Sequence, residues 1–389
     1  MAAKKKVAPE VQQEESPYYD ITPIKKENAV YNVIYGQRSY GKTFAMIYMF
    51  LKEYWEKRQA GELYQFAYLR RYDEAITGNV ARSICDTVIC DGNGDNRVKE
   101  ITDGMFDTII YRAGEFKLAH TNPETGMTKK DNNPFMYAFA LNTWDKMKGG
   151  SFPHVQEIWL EEFVEVSTKP YLKNEFVIFQ NVISTLARKR HVKVWMTGNS
   201  INPHCPYWDW MGLTKILEQK PGTIDIYKIG KTDRKIAVER TADTPKYAKS
   251  KLTNAYLFAF EDPRLKMITQ GDWEIGSYPL VQEDVDTKDI CGRFFVEFKD
   301  RLYQGDIVSN SDGYFIYMHV HTDPLYPPTD YDLIYSLEYS PKSNYRRRFD
   351  RWFTKAEEII IMLFRQDKIF YDSNFTGNAI ENYIKMSIM

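Results

Sequence analysis

The sequence has few cysteines, no long apolar run and almost no net charge. Four of its 389 residues are Cys, and the nearest two are Cys85 and Cys90, which excludes a disulfide-stapled scaffold and a zinc ribbon. A reducing cytoplasm is therefore the expected setting. The apolar stretches, such as 359–364, are far shorter than the roughly 20 residues of a membrane-spanning helix. With 52 basic and 53 acidic residues, the net charge of −1 excludes a histone-like polycation but allows a local basic groove.

The composition is that of an ordinary globular protein, with 43% apolar and 27% charged residues, and this excludes wholesale disorder. Its length predicts two domains. Residues 1–22 begin with lysines and continue as a polar run instead of an apolar signal sequence, so they predict a flexible tail. We expect an α/β domain over 23–242, a linker region with some helix over 243–282, and a smaller α/β domain over 283–389.

Strands and helices alternate in the first of these domains. Apolar, β-branched runs predict strands at 29–35, 63–71, 155–162 and 192–200, and apolar positions three and four apart predict helices after residue 43 and over 174–190. Further strands are expected near 106–111, 135–141, 224–230 and 235–241. Such alternation predicts a mostly parallel sheet flanked by helices.

The C-terminal domain has a different pattern. Residues 292–308 and 313–322 predict antiparallel strands, with turns at Gly305 and at Asp312-Gly313. A strand near 333–339 and a helix from Arg348 to Arg365 follow. The domain is therefore expected to be a small α/β unit.

One motif identifies a phosphate site between the first strand and the first long helix. It fits G-x-x-x-x-G-K-[ST], the P-loop signature, in which backbone N–H groups and the helix N-terminus cradle a phosphate. Lys42 is expected to reach the β- and γ-phosphates of ATP and Thr43 to ligate Mg²⁺. A chance match in a glycine-containing turn is the alternative, but the motif lies directly between a predicted strand and a predicted helix, as a P-loop requires. The expected nucleotide-binding residues are Gly36, Gln37, Arg38, Ser39, Tyr40, Gly41, Lys42 and Thr43.

A P-loop enzyme also needs an acid for the metal and a base for the attacking water. The strand 155–162 ends in two carboxylates, so Glu161 is expected to hold Mg²⁺ and Glu162 to polarise the water. Glu161 is a departure from the usual Asp, and a charged, solvated strand end is the alternative. Asn199 ends the next strand and could sense the γ-phosphate; a plain turn there is the other interpretation.

The second glutamate favours a motor-type ATPase of the ASCE class over GTPases and small kinases. No N-K-x-D motif for guanine selection is found in the sequence. The predicted fold is thus α/β, a P-loop NTPase sheet followed by a smaller α/β domain.

Several motifs in order resemble those of the DNA encapsidation ATPases, the genome-packaging motors of small podoviruses. They are the P-loop with Arg38, the strings 68–71 (YLRR), 159–163 (WLEEF) and 197–200 (TGNS), then Asn202-Pro203 and Pro206-Tyr207. The resemblance covers about 30–210. It implies a homo-oligomeric ring, commonly of five subunits, that uses ATP and Mg²⁺ to push double-stranded DNA through the capsid portal, with packaging RNA in some members. It also implies location in the host cytoplasm, transiently at the portal vertex of the procapsid, and a degenerate RNase H-like C-terminal domain whose catalytic acids are lost.

The same resemblance implies residues that act on the neighbouring subunit's nucleotide. It places a trans-acting arginine at Arg188 or Arg190, where a basic helix end that complements the helix dipole is the alternative. It places a second trans-acting base in the loop with Lys146 and Lys148, and Lys148 is the preferred candidate over a simple solvated lysine.

Residues 342–355 combine six bases with aromatic rings. Such a segment can bind nucleic-acid phosphates without sequence preference, although an amphipathic helix with a wet basic face has the same composition. The candidate nucleic-acid contacts are Lys342, Arg346, Arg347, Arg348 and Arg351.

Other titratable residues give weaker signals. His319 and His321 alternate on one strand without a third ligand, so a structural role is expected. Glu297, Asp312 and Asp372 are scattered, which argues against a two-metal nuclease. Two rival functions stay open: a terminase-like ATPase with an active C-terminal nuclease, and a nucleotide-gated binding module that does not turn over.

Overall fold

The computed structural model describes residues 18–37, 40–91, 93–147, 149–164, 171–199, 205–216, 218–242, 278–281, 285–311, 313–323 and 326–388. The helices are α1 (Thr22–Lys26), α2 (Lys42–Gln59), α3 (Gly78–Ser83), α4 (Asp86–Ile89), α5 (Arg97–Ile101), α6 (Glu175–Ala187), α7 (Pro206–Trp210), α8 (Lys355–Arg365) and α9 (Asn374–Ser387). Among these residues no helix is both long and apolar enough to cross a membrane. The predicted linker region, 243–282, lies almost wholly outside the described residues.

Ten described strands form one large, mostly parallel sheet, in the order β3-β4-β6-β2-β7-β8-β1-β10-β9, with β5 paired to β4. The six central strands from β6 to β10 are parallel, and the flanking strands are antiparallel. This confirms the predicted α/β fold with a mostly parallel sheet. The strands are β1 (Tyr31–Gly36), β2 (Gln65–Arg70), β3 (Thr108–Arg112), β4 (Glu115–Thr121), β5 (Thr128–Lys130), β6 (Met136–Ala140), β7 (Val155–Glu161), β8 (Lys193–Asn199), β9 (Thr223–Lys228) and β10 (Lys235–Arg240).

Helix α2 follows β1 directly and covers one face of this sheet. No Gly or Pro interrupts this helix. Just beyond its end, Gly61 has φ +79°, the left-handed conformation in which many helices terminate and which glycine adopts without strain. Its buried side chains, among them Phe50 and Tyr54, pack with Trp159 of β7. Helix α6 packs against the opposite face, where it meets Ile158 and its neighbours.

Strand periodicity decides which side chains of β7 face the helix α2. Successive residues alternate between the two faces of a strand. Trp159 belongs to the apolar cluster with α2, whereas Ile158 and Leu160 belong to the cluster with α6. Glu161, two residues beyond Trp159, is therefore directed to the first turn of α2, and this places a carboxylate beside the P-loop.

A second sheet is built from the C-terminal residues, in the order β15-β14-β11-β12-β13-β16. Helices α8 and α9 contribute to its apolar core, as Ile360 and Ile380 exemplify. The sequence did not predict α9 or the last strand. The strands are β11 (Ile290–Phe298), β12 (Arg301–Asn310), β13 (Gly313–Val320), β14 (Leu333–Ser336), β15 (Tyr345–Arg346) and β16 (Ile369–Tyr371).

The turn predicted at Gly305 is wrong. Gly305 lies within β12, opposite Phe294 of β11, and the chain reverses at 299–300 instead. A Cβ atom at Gly305 would lie 2.4 Å from the Phe294 ring and 2.7 Å from the sulfur of Met318. Glycine is present here because the Phe294 ring and the Met318 sulfur occupy the space that a side chain would need.

We expect Gly305→Ala to destabilise the protein by roughly 1–3 kcal/mol, because the new methyl group overpacks a closed core. Thermal or urea unfolding of the variant measures this loss. Gly292→Ala in the adjoining strand is the matched control, since its Cβ would meet only an ordinary contact at 3.5 Å. Equal stability of the two variants would contradict the packing argument.

The helix predicted from Arg348 begins later, at Lys355. Thr354 caps it, accepting from the backbone N–H of Glu357 at 3.3 Å, while the Glu357 carboxylate accepts from the backbone N–H of Thr354 at 3.2 Å. This capping box fixes the start of α8. Residues 347–354, which precede it, are neither helix nor strand.

Candidate functional site

The P-loop connects β1 to α2 as the motif predicts, and two of its glycines are sterically required. Gly41 has φ +78°, in the left-handed region, immediately before the helix. A Cβ at Gly36 would lie 1.8 Å from the hydroxyl oxygen of Thr241. Gln37 and Tyr40 are described, whereas Arg38 and Ser39 lie outside the described residues; nucleotide binding by all the residues of the motif stays a prediction.

Lys42 is buried at the first position of α2. Its ammonium donates to the carbonyl of Gln37 at 2.5 Å and to that of Gly36 at 3.3 Å. Burial lowers the pKa of Lys42 to about 7, and the nearby Glu161 carboxylate opposes this shift only in part. Because Glu161 offsets the cost of burying this ammonium only in part, an anion such as a phosphate beside it would stabilise the charged form.

Glu161 connects the P-loop helix to the neighbouring strands. Its carboxylate accepts from the Thr43 hydroxyl at 2.6 Å, from the Tyr68 hydroxyl at 2.5 Å and from Arg70 at 3.0 Å. Tyr68 and Arg70 both belong to β2, on the other side of β7 from the P-loop strand. Sequence analysis assigned neither residue an individual role; both appeared only within the string 68–71, at the end of a predicted strand.

Glu162 differs from Glu161 in its backbone and its exposure. It has φ +54°, so the chain turns sharply after β7, and its side chain is 52% exposed while that of Glu161 is 8% exposed. The guanidinium of Arg70 pairs with Glu162 through its second nitrogen. One arginine therefore orients both carboxylates, the first towards α2 and the second towards solvent.

Strand β8 lies between β1 and β7, so its end closes the site. In the sheet register Asn199 is the partner of Gly36, and Thr197 is the partner of Glu161. The indole N–H of Trp159 donates to the Thr197 hydroxyl at 2.8 Å. Asn199 is thus positioned next to Gly36, at the start of the P-loop motif, and its role as a phosphate sensor stays a prediction.

The tail predicted over 1–22 overlaps with packed residues. The Tyr18 ring stacks on Phe44 with centroids 3.8 Å apart, and the Tyr19 ring packs near Tyr40. The backbone N of Tyr19 lies 3.3 Å from where a Gly41 Cβ would be. The packed chain therefore begins no later than Tyr18, and this short segment lies against the P-loop.

Tyr19 also makes a buried contact with β10. Its hydroxyl donates to the Glu239 carboxylate at 2.5 Å. The pKa of Glu239 is raised to about 7, chiefly by burial; the hydrogen bond from Tyr19 opposes this rise, and the nearby Asp20 carboxylate adds to it. The folded protein therefore binds a proton at Glu239 that the unfolded chain releases near its ordinary pKa of about 4.3.

This difference gives a pH-dependent expectation for Glu239→Gln. Between about pH 4.3 and 7 the unfolded state becomes ionised first, so wild-type stability falls as pH rises, and the loss is complete above pH 7. The neutral amide avoids that loss. We expect the variant to be more stable than wild type by about 1–3 kcal/mol at pH 8 and by little at pH 4.5. Thermal unfolding at the two pH values measures it; an equal change at both would contradict the assignment.

Arg188 and Arg190 have different surroundings at the end of α6. The guanidinium of Arg190 donates to four backbone carbonyls at 2.6–2.8 Å. Within the described part of the chain, exposed Arg188 donates only to the carbonyl of Gly150, at 2.6 Å. Arg190 therefore holds the loop before β7 against the helix. Lys146 is exposed, and Lys148 lies outside the described residues. The carbonyls that Arg190 contacts belong to Phe152, Pro153, Val155 and Leu186.

Three of the five predicted nucleic-acid contacts are already paired with acids. Lys342 pairs with Asp330 at 2.8 Å, Arg346 with the buried Glu357 at 2.7 Å, and Arg348 with Asp350. Among the described residues, the Arg347 guanidinium makes only a long hydrogen bond, 3.4 Å, to a backbone carbonyl, and Arg351 is exposed. Their role in nucleic-acid binding stays a prediction, with Arg347 and Arg351 the members that keep free charge.

His319 and His321 lie in a hydrogen-bonded row on the C-terminal sheet. His319 lies 3.0 Å from the Asp306 carboxylate, and His321 lies 2.8 Å from the Gln304 side-chain oxygen. In the part of the chain that the structure describes, no group of three or more His, Cys, Asp or Glu side chains is placed to hold a metal ion. Of the scattered carboxylates, Glu297 and Asp372 are described and Asp312 is not.

The donor set around the P-loop fits a magnesium nucleotide. Mg²⁺ prefers oxygen ligands and keeps several waters, usually binding through one or two protein groups and the phosphates. The Thr43 hydroxyl and the Glu161 carboxylate, 2.6 Å apart, provide such groups, and Lys42 provides the charge for phosphate.

Comparisons with known proteins give a likeness in fold. No family model matches the chain, and no curated protein matches it. Among solved structures it is similar to the Phi-28 gp11 DNA packaging motor, with a TM-score of 0.50 and 13% identity over 96% of this chain and 98% of that chain. It is also similar to the bacteriophage Phi-29 viral genome packaging motor assembly, with a TM-score of 0.51 and 17% identity over 95% and 100%.

Proposed function

We propose that the protein is an ATPase that drives double-stranded viral DNA into a preformed capsid. The observation that carries this proposal is the contact of Thr43 with Glu161, at 2.6 Å, beside buried Lys42 and exposed Glu162. These are the groups that a P-loop hydrolase needs, at one edge of one sheet. The likeness in fold to two packaging-motor structures supports the step from ATPase to DNA packaging.

Each group has a role in hydrolysis that follows from its position. The P-loop N–H groups and Lys42 would hold the phosphates, and Thr43 and Glu161 would hold Mg²⁺. Bound there, the metal offsets negative charge on the β- and γ-phosphates. Glu162, exposed at the same edge, orients a water and accepts its proton. Asn199, the partner of Gly36 in the sheet register, would sense the γ-phosphate.

The strand orders support the finer assignment of both domains. In the large sheet β8 lies between the P-loop strand β1 and the acid-bearing strand β7, as the ASCE class requires of its additional strand. In the C-terminal sheet the order β13-β12-β11-β14-β15, with β14 and β15 parallel to β11, is the RNase H order. We infer a P-loop domain over 23–242 and a vestigial nuclease-like domain over 283–389.

We further propose that the subunits form a ring in which Arg188 acts on the neighbouring nucleotide. Arg188 lies beside Gly150, and Arg190 contacts Val155 at the amino end of β7, whereas the P-loop follows the carboxyl end of β1. A seven-residue strand spans about 20 Å, far beyond the reach of an arginine side chain. Arg188 therefore cannot serve its own P-loop, and head-to-tail packing brings it to the next one. We expect this ring to be a pentamer, and its expected partners are the capsid portal and packaging RNA.

Phosphate release tests the proposal against its rivals. We expect hydrolysis that requires Mg²⁺ and that duplex DNA stimulates. Binding of ATP without release, with or without DNA, would favour the nucleotide-gated module instead. Nicking of supercoiled plasmid in Mn²⁺ would favour the terminase-like enzyme with an active nuclease.

A further inference from the structure

The turn between β9 and β10 carries a cluster of unpaired positive charge. Four exposed cations lie within eight residues, with a single acid, Asp233, among them. In the described part of the chain none of the four makes an ion pair. We call the cluster the basic hairpin; its cations are Lys228, Lys231, Arg234 and Lys235.

The basic hairpin is held rigidly although its charges repel each other. Lys228 and Lys235 are direct partners in the antiparallel register, an arrangement that destabilises a hairpin. The turn between them is closed by backbone bonds from Ile229 to Arg234 at 3.0 Å and from Thr232 to Ile229 at 3.1 Å. Two lysines placed opposite each other do not stabilise the folded hairpin. We therefore expect these cations to bind an anionic partner.

The basic hairpin lies at the amino edge of the parallel strands. Tyr31 of β1 pairs with Ile236 of β10 on one side and with Val194 of β8 on the other, so Lys235 and Lys193 lie at that edge on either side of β1. Arg188 lies at the same edge. The edge opposite to the P-loop is therefore basic.

The carboxyl edge of the same strands is acidic. Four exposed carboxylates belong to segments that lie at the P-loop or follow the carboxyl ends of β2, β6 and β7. They outnumber the bases beside them, which are Arg70, paired with Glu162, and the exposed Lys146. One chain thus has a basic edge and an acidic edge at opposite ends of its sheet. We call the carboxyl edge of these strands the acidic edge; its acidic members are Asp20, Glu74, Asp145 and Glu162.

We propose that the basic hairpin docks on the acidic edge of a second copy of this chain. Two unlike patches on opposite ends of a subunit make a heterologous contact, which closes into a ring when the rotation allows. Complementary charge favours this register over others. The proposal deepens the proposed function, since docking in this direction brings Arg188 to the neighbour's nucleotide site, but the docking itself requires no hydrolysis.

Assembly of the hairpin charge-reversal variant tests the docking. This variant carries Lys228→Glu and Lys235→Glu, and its assembly is measured by sedimentation with a non-hydrolysed ATP analogue and Mg²⁺. Because like charges now face each other, it should need a protein concentration at least about 10-fold higher than wild type to assemble. Lys129→Glu with Lys130→Glu, exposed lysines at the other end of the sheet, is the matched control and should assemble normally. If the reversal lowers the melting temperature, Lys228→Gln with Lys235→Gln replaces it.

A reciprocal variant makes the test specific. Glu74→Lys with Asp145→Lys should lose assembly equally, and a mixture of the two reversed proteins should assemble again, since both interfaces then join opposite charges. Unchanged assembly of the hairpin variant, or wild-type protein that stays monomeric, would overturn the proposal. So would normal assembly with a selective loss of duplex binding, which would assign the hairpin to DNA. A chain that assembles but does not hydrolyse ATP would refute the proposed function alone.

Discussion

Replacing Glu162 by Gln should leave ATP bound and stop its hydrolysis. The carboxylate is half exposed at the edge of the sheet that holds the P-loop, and the amide that replaces it cannot accept a proton from water. Loss of a positioned general base costs typically 10²–10⁴-fold in rate. Single-turnover phosphate release, compared with equilibrium binding of a fluorescent ATP analogue, separates the two effects.

The matched control for this variant is Glu161→Gln. Glu161 contacts the Thr43 hydroxyl, so its loss should weaken the Mg²⁺ dependence of nucleotide binding as well as turnover. If Glu162→Gln is the variant that loses nucleotide binding, the two carboxylates have exchanged roles.

Replacing Arg188 by Ala should lower turnover on the order of 10³-fold, the low end for an arginine that acts on a neighbour's phosphate. ATP binding by the same subunit should stay nearly intact, because Arg188 lies at the other edge of its own sheet. Arg188→Lys should restore little, since an ammonium cannot bridge two oxygens as a guanidinium does. Lys189→Ala, an exposed neighbour on the same helix end, is the control and should be active.

Mixing two inactive proteins decides whether Arg188 acts in trans. In a mixed ring an Arg188→Ala subunit keeps Glu162 and can sit beside a Glu162→Gln subunit that keeps Arg188. Activity should therefore return in proportion to the mixing ratio. Absence of recovery at every ratio, with mixed assembly demonstrated separately, would mean that Arg188 acts within its own subunit or only stabilises the helix end. Arg190→Ala should instead reduce stability, because four carbonyls lose their donor.

Local sequence was sufficient for the parts of the site that consecutive residues build. The P-loop needs one strand, one glycine-rich turn and one helix, and all three follow each other from Tyr31 to Gln59. Glu161 could be placed because strand alternation fixes its face once Trp159 is buried. These features depend on periods of two and 3.6 residues, which a sequence displays directly.

Contacts between distant segments could not be obtained in this way. Tyr19 and Glu239 are 220 residues apart, and Arg70 reaches Glu161 across 91 residues. Gly305 resembled a turn residue because the ring that excludes its side chain, Phe294, belongs to another strand. Likewise, the sequence showed the bases of 342–355 but not that Glu357 would neutralise Arg346.

ATP-driven displacement of a bound third strand from duplex DNA tests the central claim most directly. A protein that translocates along the duplex should release the third strand in the presence of Mg²⁺ and ATP, and should not do so with a non-hydrolysed analogue. Lys42→Ala should abolish release, because the phosphates lose the charge that the buried ammonium provides. Release by the Lys42→Ala protein, or phosphate release by wild type that duplex DNA neither stimulates nor couples to strand displacement, would contradict the account.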